Sequence, residues 1–172
     1  LIIGDVHAHY PPLERAIQYA SDNDLHLISV GDIVDGGSDG AKCVSELVKL
    51  LDSGKASIVR GNHEHKIIRA LNGADVILGP PNIATLEQME TDSEFVADFR
   101  HMVEVHCKPY LKLSDTLYIT HGGMSKDFWE AEKTDKVSKK MYNTMMFGEA
   151  DYHKTFTHKG QDYPFRTYDW KD

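Results

Sequence analysis

Cysteine is scarce in this sequence, with two residues, Cys43 and Cys107, at no paired spacing. That excludes a disulfide framework or a zinc knuckle and fits a reducing, cytosolic setting, so a cytoplasmic protein is expected. Long apolar runs are missing too. None approaches the roughly 18 residues that span a bilayer, and a soluble protein with no membrane partner is expected. Positive charge is in deficit: 19 Lys and Arg face 27 Asp and Glu, for a formal net charge of -8. This is the opposite of the basic footprint that grips nucleic-acid backbone, so bulk duplex DNA is not an expected partner. Internal repeats and low-complexity stretches are absent. At 172 residues and 41% hydrophobic content, the chain can bury one good core but is short for two domains. A single domain over 1–172 is expected. The chain reaches a strand and its loop within four residues of Leu1 and stops abruptly at Asp172, so truncation at both ends is expected.

What is present is a recurrent pattern. Leu1-Ile2-Ile3 is an apolar run ended by Gly4, Leu25 to Val30 is ended by Gly31, and Ala56 to Val59 by Arg60-Gly61. Each reads as a buried parallel strand. After the first, Pro11-Pro12 precede Leu13, Ala16, Ile17 and Ala20, which share one helical face. After the second, Val44, Leu47, Val48 and Leu51 predict a helix from about Asp39, and after the third a helix carries Ile67, Ile68 and Leu71. Three β-loop-α units in succession predict an α/β fold with helices covering a parallel sheet. From 73 to 108 the character changes. Pro80-Pro81 reads as a breaker, and Thr85 to Val105 as acidic helices of an insertion or cap. Tyr110 to Leu113 and Thr116 to Thr120 predict two strands joined at Ser114-Asp115, the second running into His121-Gly122-Gly123. Beyond Lys126 the pattern is mixed.

Four strand ends thus pair glycine with metal-ligating side chains: Gly4-Asp5-Val6-His7, Gly31-Asp32-Ile33-Val34-Asp35, Gly61-Asn62-His63-Glu64 and His121-Gly122-Gly123. In open α/β sheets the carboxyl ends of the strands face one crevice. Glycine permits the tight turns that let short Asp, Asn and His side chains converge, and Mn²⁺, Fe or Zn²⁺ accept that mixture of oxygen and imidazole. The acidic surplus is partly explained if it lines such a site.

In type, order and spacing these motifs resemble those of the calcineurin-like metallophosphoesterases, in particular the phosphoprotein-phosphatase branch and its compact bacterial or phage-type enzymes. The resemblance implies an α/β metallophosphoesterase fold with its active site at the strand C-terminal ends. It implies two divalent metal ions, Mn²⁺ foremost. Asp5 and His7 would hold the first, Asp32 would bridge to the second, and Asn62 and His121 would bind that second ion. A metal-bridging hydroxide would attack the phosphorus. His63 would be the general acid, oriented by Asp35, and Asn62 would also contact the substrate phosphate.

Two departures accompany the matches. Gly36 stands where the family places an arginine, so a bidentate phosphate clamp is missing there; Arg166 is the first candidate to replace it and Arg60 the second. The family's late His, in a GH-type motif, is not found between His121 and Asp172, and is expected beyond the end of this sequence. His9, His65, His26, His101, His106, His153 and His158 read as surface or structural residues, the acidic run Glu87 to Asp98 as a solvated helix face, and Phe128, Trp129, Tyr142 and Phe147 as core. The expected activity is hydrolysis of a phosphorylated substrate, phosphomonoesters first. A Ser/Thr protein phosphatase, a nucleotide or dinucleoside-polyphosphate hydrolase and a polynucleotide end-healing phosphatase, the last similar around His121 and the Arg166-to-Trp170 tail, remain open. So does a non-catalytic metal-binding module.

Overall fold

The fold is taken from a computed structural model of the chain, which describes residues 1–158 and 161–167. They fall into two compact units, Leu1–Ile119 and Thr120–Asp172.

The first unit is built on β1 (Ile2–Ile3), β2 (Leu27–Ser29) and β3 (Ala56–Ile58), a parallel sheet in the order β1-β2-β3. Ile2 pairs with Ile28 and Ile28 with Ser57, which aligns the three strand ends. The strands are shorter than the apolar runs that predict them. Leu25, for example, gives its amide to the Ala20 carbonyl and finishes the preceding helix instead of joining β2. Helices α1 (Tyr10–Asp22), α2 (Gly40–Asp52) and α3 (Asn62–Leu71) follow the strands, as the β-loop-α pattern predicts. α1 opens with its two prolines in the first turn, where their missing N–H groups cost nothing. α2 buries Cys43, Val44, Leu47, Val48 and Leu51, a helical stripe that meets Leu13, Leu27, Ile58 and Ile67 in one core.

Two further helices, α4 (Pro80–Thr91) and α5 (Ser93–His101), occupy the acidic segment, and a π-helical turn, Met102–His106, extends α5. Pro80-Pro81 is not a breaker here. The pair sits in the first turn of α4, and Gly79 ahead of it donates its amide to Asn82 Oδ1 at 2.9 Å. Nor is this segment only a solvated face, since Met89, Phe95, Phe99, Met102 and Val103 join the core. After the π-turn the chain runs beside β3: Lys108 N donates to Ile58 O at 3.1 Å and Arg60 N to Lys108 O at 2.7 Å. A short antiparallel pair, β4 (Leu111–Lys112) and β5 (Tyr118–Ile119), closes the unit.

The second unit holds α6 (Phe128–Lys133), α7 (Lys139–Phe147) and an antiparallel hairpin of β6 (Ala150–His158) and β7 (Gln161–Arg166). Phe128 is fully buried, as expected, whereas Trp129, Tyr142 and Phe147 are 37%, 38% and 40% exposed and are not core. The segment Tyr168 to Asp172, part of the tail likened to end-healing phosphatases, lies outside the described residues. Among the described residues no helix is long and apolar enough to cross a membrane.

Candidate metal centre

The loops that follow β1 and β2 are joined through their backbones. Val6 N and His7 N both donate to Asp32 O, at 3.0 and 2.9 Å, Ala8 N to Ile33 O at 2.7 Å, and Gly37 N to His7 O at 2.9 Å. The geometry forces left-handed backbone on side-chain-bearing residues: φ is 48° at His7, 56° at Ala8, 53° at Asp32 and 68° at Asp35. Such conformations cost on the order of 1 to 3 kcal/mol each and persist only where surrounding bonds over-determine them.

Glu64 supplies much of that determination. It is fully buried at the fourth position of the third motif, and its carboxylate accepts from Asp32 N and Ile33 N at 2.7 Å each, Gly61 N at 3.2 Å and Val34 N at 3.4 Å. Burial, then the charge of Asp32, pushes its pKa up, while the amides of Ile33, Asp32 and Val34 pull it down. The fit is close enough that position 61 admits only glycine. A Cβ there would overlap Asp32 Oδ1 and lie 2.6 Å from Glu64 Oε2.

Against this frame stand the side chains singled out in the sequence. His63 N donates to Asp32 Oδ1 at 3.0 Å, and His63 Nδ1 lies 2.6 Å from Asp35 Oδ2. Asp35 is buried, and two more donors reach it from α4: Asn82 Nδ2 to Oδ2, and the Thr85 hydroxyl to Oδ1 at 2.6 Å. The Asp35 hydrogen bond raises the pKa of His63; burial opposes it, and the charges of Asp32, Asp35 and Glu64 add to it. His63 Nε2 is 3.9 Å from Asp32 Oδ2, and the rings of His63 and His7 meet edge-on at 4.9 Å between centroids. His7 Nδ1 lies 3.3 Å from the Val34 carbonyl, and its Nε2 is 3.8 Å from Asp5 Oδ2.

Donors that bind one ion at roughly 2.0 to 2.2 Å lie about 3 to 4 Å from one another. The Asp5–His7 spacing falls in that range, and His7 and Asp32 offer ligand atoms within 4.8 Å of each other. Carboxylate and imidazole donors at this spacing fit a hard or borderline divalent cation. Asn62, half-buried, begins α3 beside them.

A sequence model of the family described as calcineurin-like phosphoesterase matches residues 1–171. The chain belongs to that family. Phosphoesterases of this family use divalent metal ions, and the α/β architecture of the chain agrees with membership. It is 26% identical over 164 residues to the bis(5'-nucleosyl)-tetraphosphatase PrpE [asymmetrical] of Anoxybacillus flavithermus, an alignment covering 86% of this chain and 64% of that protein. It is 31% identical over 86 residues to the protein of the same name from Oceanobacillus iheyensis, covering 44% of this chain and 34% of the other. The chain therefore spans less than two thirds of the length of these curated relatives.

The remaining motif residues belong to the second unit or point elsewhere. His121 follows β5 and is half-buried, with Gly122 N bonded to Met145 O at 2.5 Å. Arg166 ends β7 and donates to the Phe147 carbonyl. Arg60, the other candidate for a phosphate clamp, donates from Nη2 to Val103 O at 2.7 Å, so its guanidinium faces the π-turn. Gly36 has φ +109°, with His7 Cβ and O 3.4 Å from where a Cβ would stand, so an arginine at 36 would be strained. Sequence reasoning missed Glu64, Asn82 and Thr85. Glu64 lay inside a quoted motif, and the one local signal for Asn82 was its place three residues after Gly79 at a helix start.

Proposed function

We propose that this chain carries a dinuclear phosphoesterase site. Asp5 and His7 would hold one divalent ion, and Asp32, Asn62 and, by the motif pattern, His121 would hold a second, with Asp32 shared between the two; Mn²⁺ is favoured over Fe or Zn²⁺. Two ions held by these residues would supply an activated water and neutralise charge on the phosphoryl oxygens. The chain's own contribution is the proton. With Nδ1 directed at Asp35, His63 keeps its other proton on Nε2, on the side of Asp32, where it can pass to the leaving-group oxygen. The raised pKa favours the protonated imidazole that a donor requires. Asn82 and Thr85 act through Asp35, as positioning residues. Arg166 is proposed as the phosphate contact that replaces the arginine absent at 36.

The observation that carries this reading is the His63–Asp35 pair at 2.6 Å beside the left-handed loops of His7 and Asp32. A module that merely bound metal would not need it. Among substrates, a dinucleoside polyphosphate is favoured, because both curated relatives are named as tetraphosphatases.

Two assays with Mn²⁺ test the proposal: diadenosine tetraphosphate with chromatographic analysis of products, and p-nitrophenyl phosphate. Unequal nucleotide products support the substrate assignment. Turnover of p-nitrophenyl phosphate alone would keep the site and discard that substrate. Two bound metals with no turnover of either would favour the non-catalytic module. His63→Ala is expected to keep both metals and lose about 10²- to 10³-fold in kcat; unchanged activity would remove its assigned role.

A further inference from the structure

A second group of ligating side chains lies away from the strand-end loops, within the first unit. Asp52 is the last residue of α2, His101 the last of α5 and His106 the last of the π-turn. Asp52 Oδ1 is 2.8 Å from His101 Nε2 and 2.7 Å from His106 Nε2, and the two rings meet edge-on at 5.1 Å. We propose that Asp52, His101 and His106 form a peripheral binding site for a borderline divalent cation of the Zn²⁺, Ni²⁺ or Cu²⁺ type.

The helix geometry makes this pairing unusual. Residues five apart on an α-helix, at about 100° per residue, project roughly 140° apart and cannot share a ligand. Here the turn between them is π-helical, with Cys107 N bonded to Met102 O at 3.0 Å, and it brings both imidazoles to one side. Such turns cost regular hydrogen-bond geometry and cluster at functional sites. The ligand atoms all lie within 4.8 Å of one another, and the carboxylate and the two rings are 50%, 42% and 20% exposed, so an ion can replace the two hydrogen bonds to Asp52 Oδ1 as these open by a few tenths of an ångström, and keep water in its open positions. Neighbouring cations do not compete. Arg100 is turned to Asn72 Oδ1 at 2.8 Å and the Leu71 carbonyl at 3.1 Å, and Lys49 is paired with Glu46 at 2.7 Å. Two imidazoles with one carboxylate favour the later transition metals over Mg²⁺ or Ca²⁺. Bound there, the ion would clip the end of α2 to the turn that leads the chain back beside β3.

The proposal shares no residue with the phosphoesterase site and stands without it. The test is paramagnetic broadening of backbone amides by substoichiometric Cu²⁺, with Zn²⁺ stoichiometry by equilibrium dialysis. In the wild-type chain, amides near residues 52, 101 and 106 are expected to broaden. In His101→Gln/His106→Gln that broadening should vanish and one equivalent of Zn²⁺ per chain should be lost, while broadening around residues 5–9 and 31–35 persists. Asp52→Asn, which retains both rings, is expected to weaken the site about tenfold. Absence of broadening near 101–106 in the wild type, or its persistence in the double variant, overturns the proposal. An amide spectrum unchanged away from the three residues establishes that the variants fold.

Discussion

The two sides of the strand-end site are built to different standards of closure. On one side Asp35 and Glu64 are buried, and every oxygen of both carboxylates receives a hydrogen bond from another loop or helix. On the other, the Asp5 and His7 side chains are 49% and 37% exposed, held mainly by the backbone bonds of their loop. The closed side fixes the ring of His63, the proposed proton donor, to about the precision of a hydrogen bond. The open side leaves carboxylate and imidazole to be ordered by what binds them. Substituting each side in turn can break or sharpen the contrast.

The largest effect is expected at Glu64. Glu64→Gln places an NH₂ group against amide N–H donors that now point at a carboxylate, and leaves buried donors unpaired. A loss of about 3 kcal/mol follows, or about 10 °C in Tm for a chain of this size, measured by thermal unfolding with a chelator present. Asp5→Ala should differ in kind. Its side chain contributes little to the fold, so stability without metal should change by under about 1 kcal/mol, whereas Mn²⁺ affinity by calorimetry should fall about 100-fold. Equal stability losses in the two variants would erase the distinction between the sides.

The same contrast explains what could be read from the sequence. A buried parallel strand is an apolar run, and a glycine that ends it is a local event, so β1, β2, β3 and the Asp5, Asp32 and His63 loops were all legible. Glu64 and Asn82 were not, because their work is done on backbone and carboxylate groups about 30 to 47 positions away in the chain. No periodicity encodes such a partner. The hairpin of β6 and β7 escaped for another reason: Phe156 and Phe165 are 46% and 48% exposed, and among its described side chains none is buried to mark a core face. His101 and His106 read as scattered because the π-turn that aligns them has no helical-wheel signature.

Cys43 reports on the interior behind the closed side. Burial raises its pKa to about 11, with the Asp39 charge adding to the effect. The unfolded thiol loses its proton first as pH rises, so this contribution to stability is complete below about pH 9 and declines until the folded thiol titrates near 11. Wild type minus Cys43→Ala stability, from urea unfolding at pH 8 and pH 10.5, should fall by on the order of 1 to 2 kcal/mol. A difference that did not change with pH would mean that the interior is open to solvent.

The smallest expected effect is the most diagnostic of the closed side's purpose. Thr85→Val removes a hydroxyl 2.6 Å from Asp35 Oδ1 and preserves its shape, and Asn82→Ala removes both a donor to Asp35 Oδ2 and the acceptor for Gly79 N. Neither residue reaches His63 directly, so each acts by letting Asp35 and the imidazole drift. Losses of about 5- to 10-fold in kcat are expected, with KM and Mn²⁺ affinity unchanged, because about 1 kcal/mol is what one such hydrogen bond contributes. The loss should also depend on the leaving group. A poor alkoxide needs the proton from His63 more than p-nitrophenolate does, so the variants should be more impaired on an alkyl phosphate than on p-nitrophenyl phosphate. Thr85→Ser, which restores the hydroxyl, should recover the rate on both. Equal impairment on the two substrates would show that Asn82 and Thr85 serve the packing of α4 and not the placement of the proton.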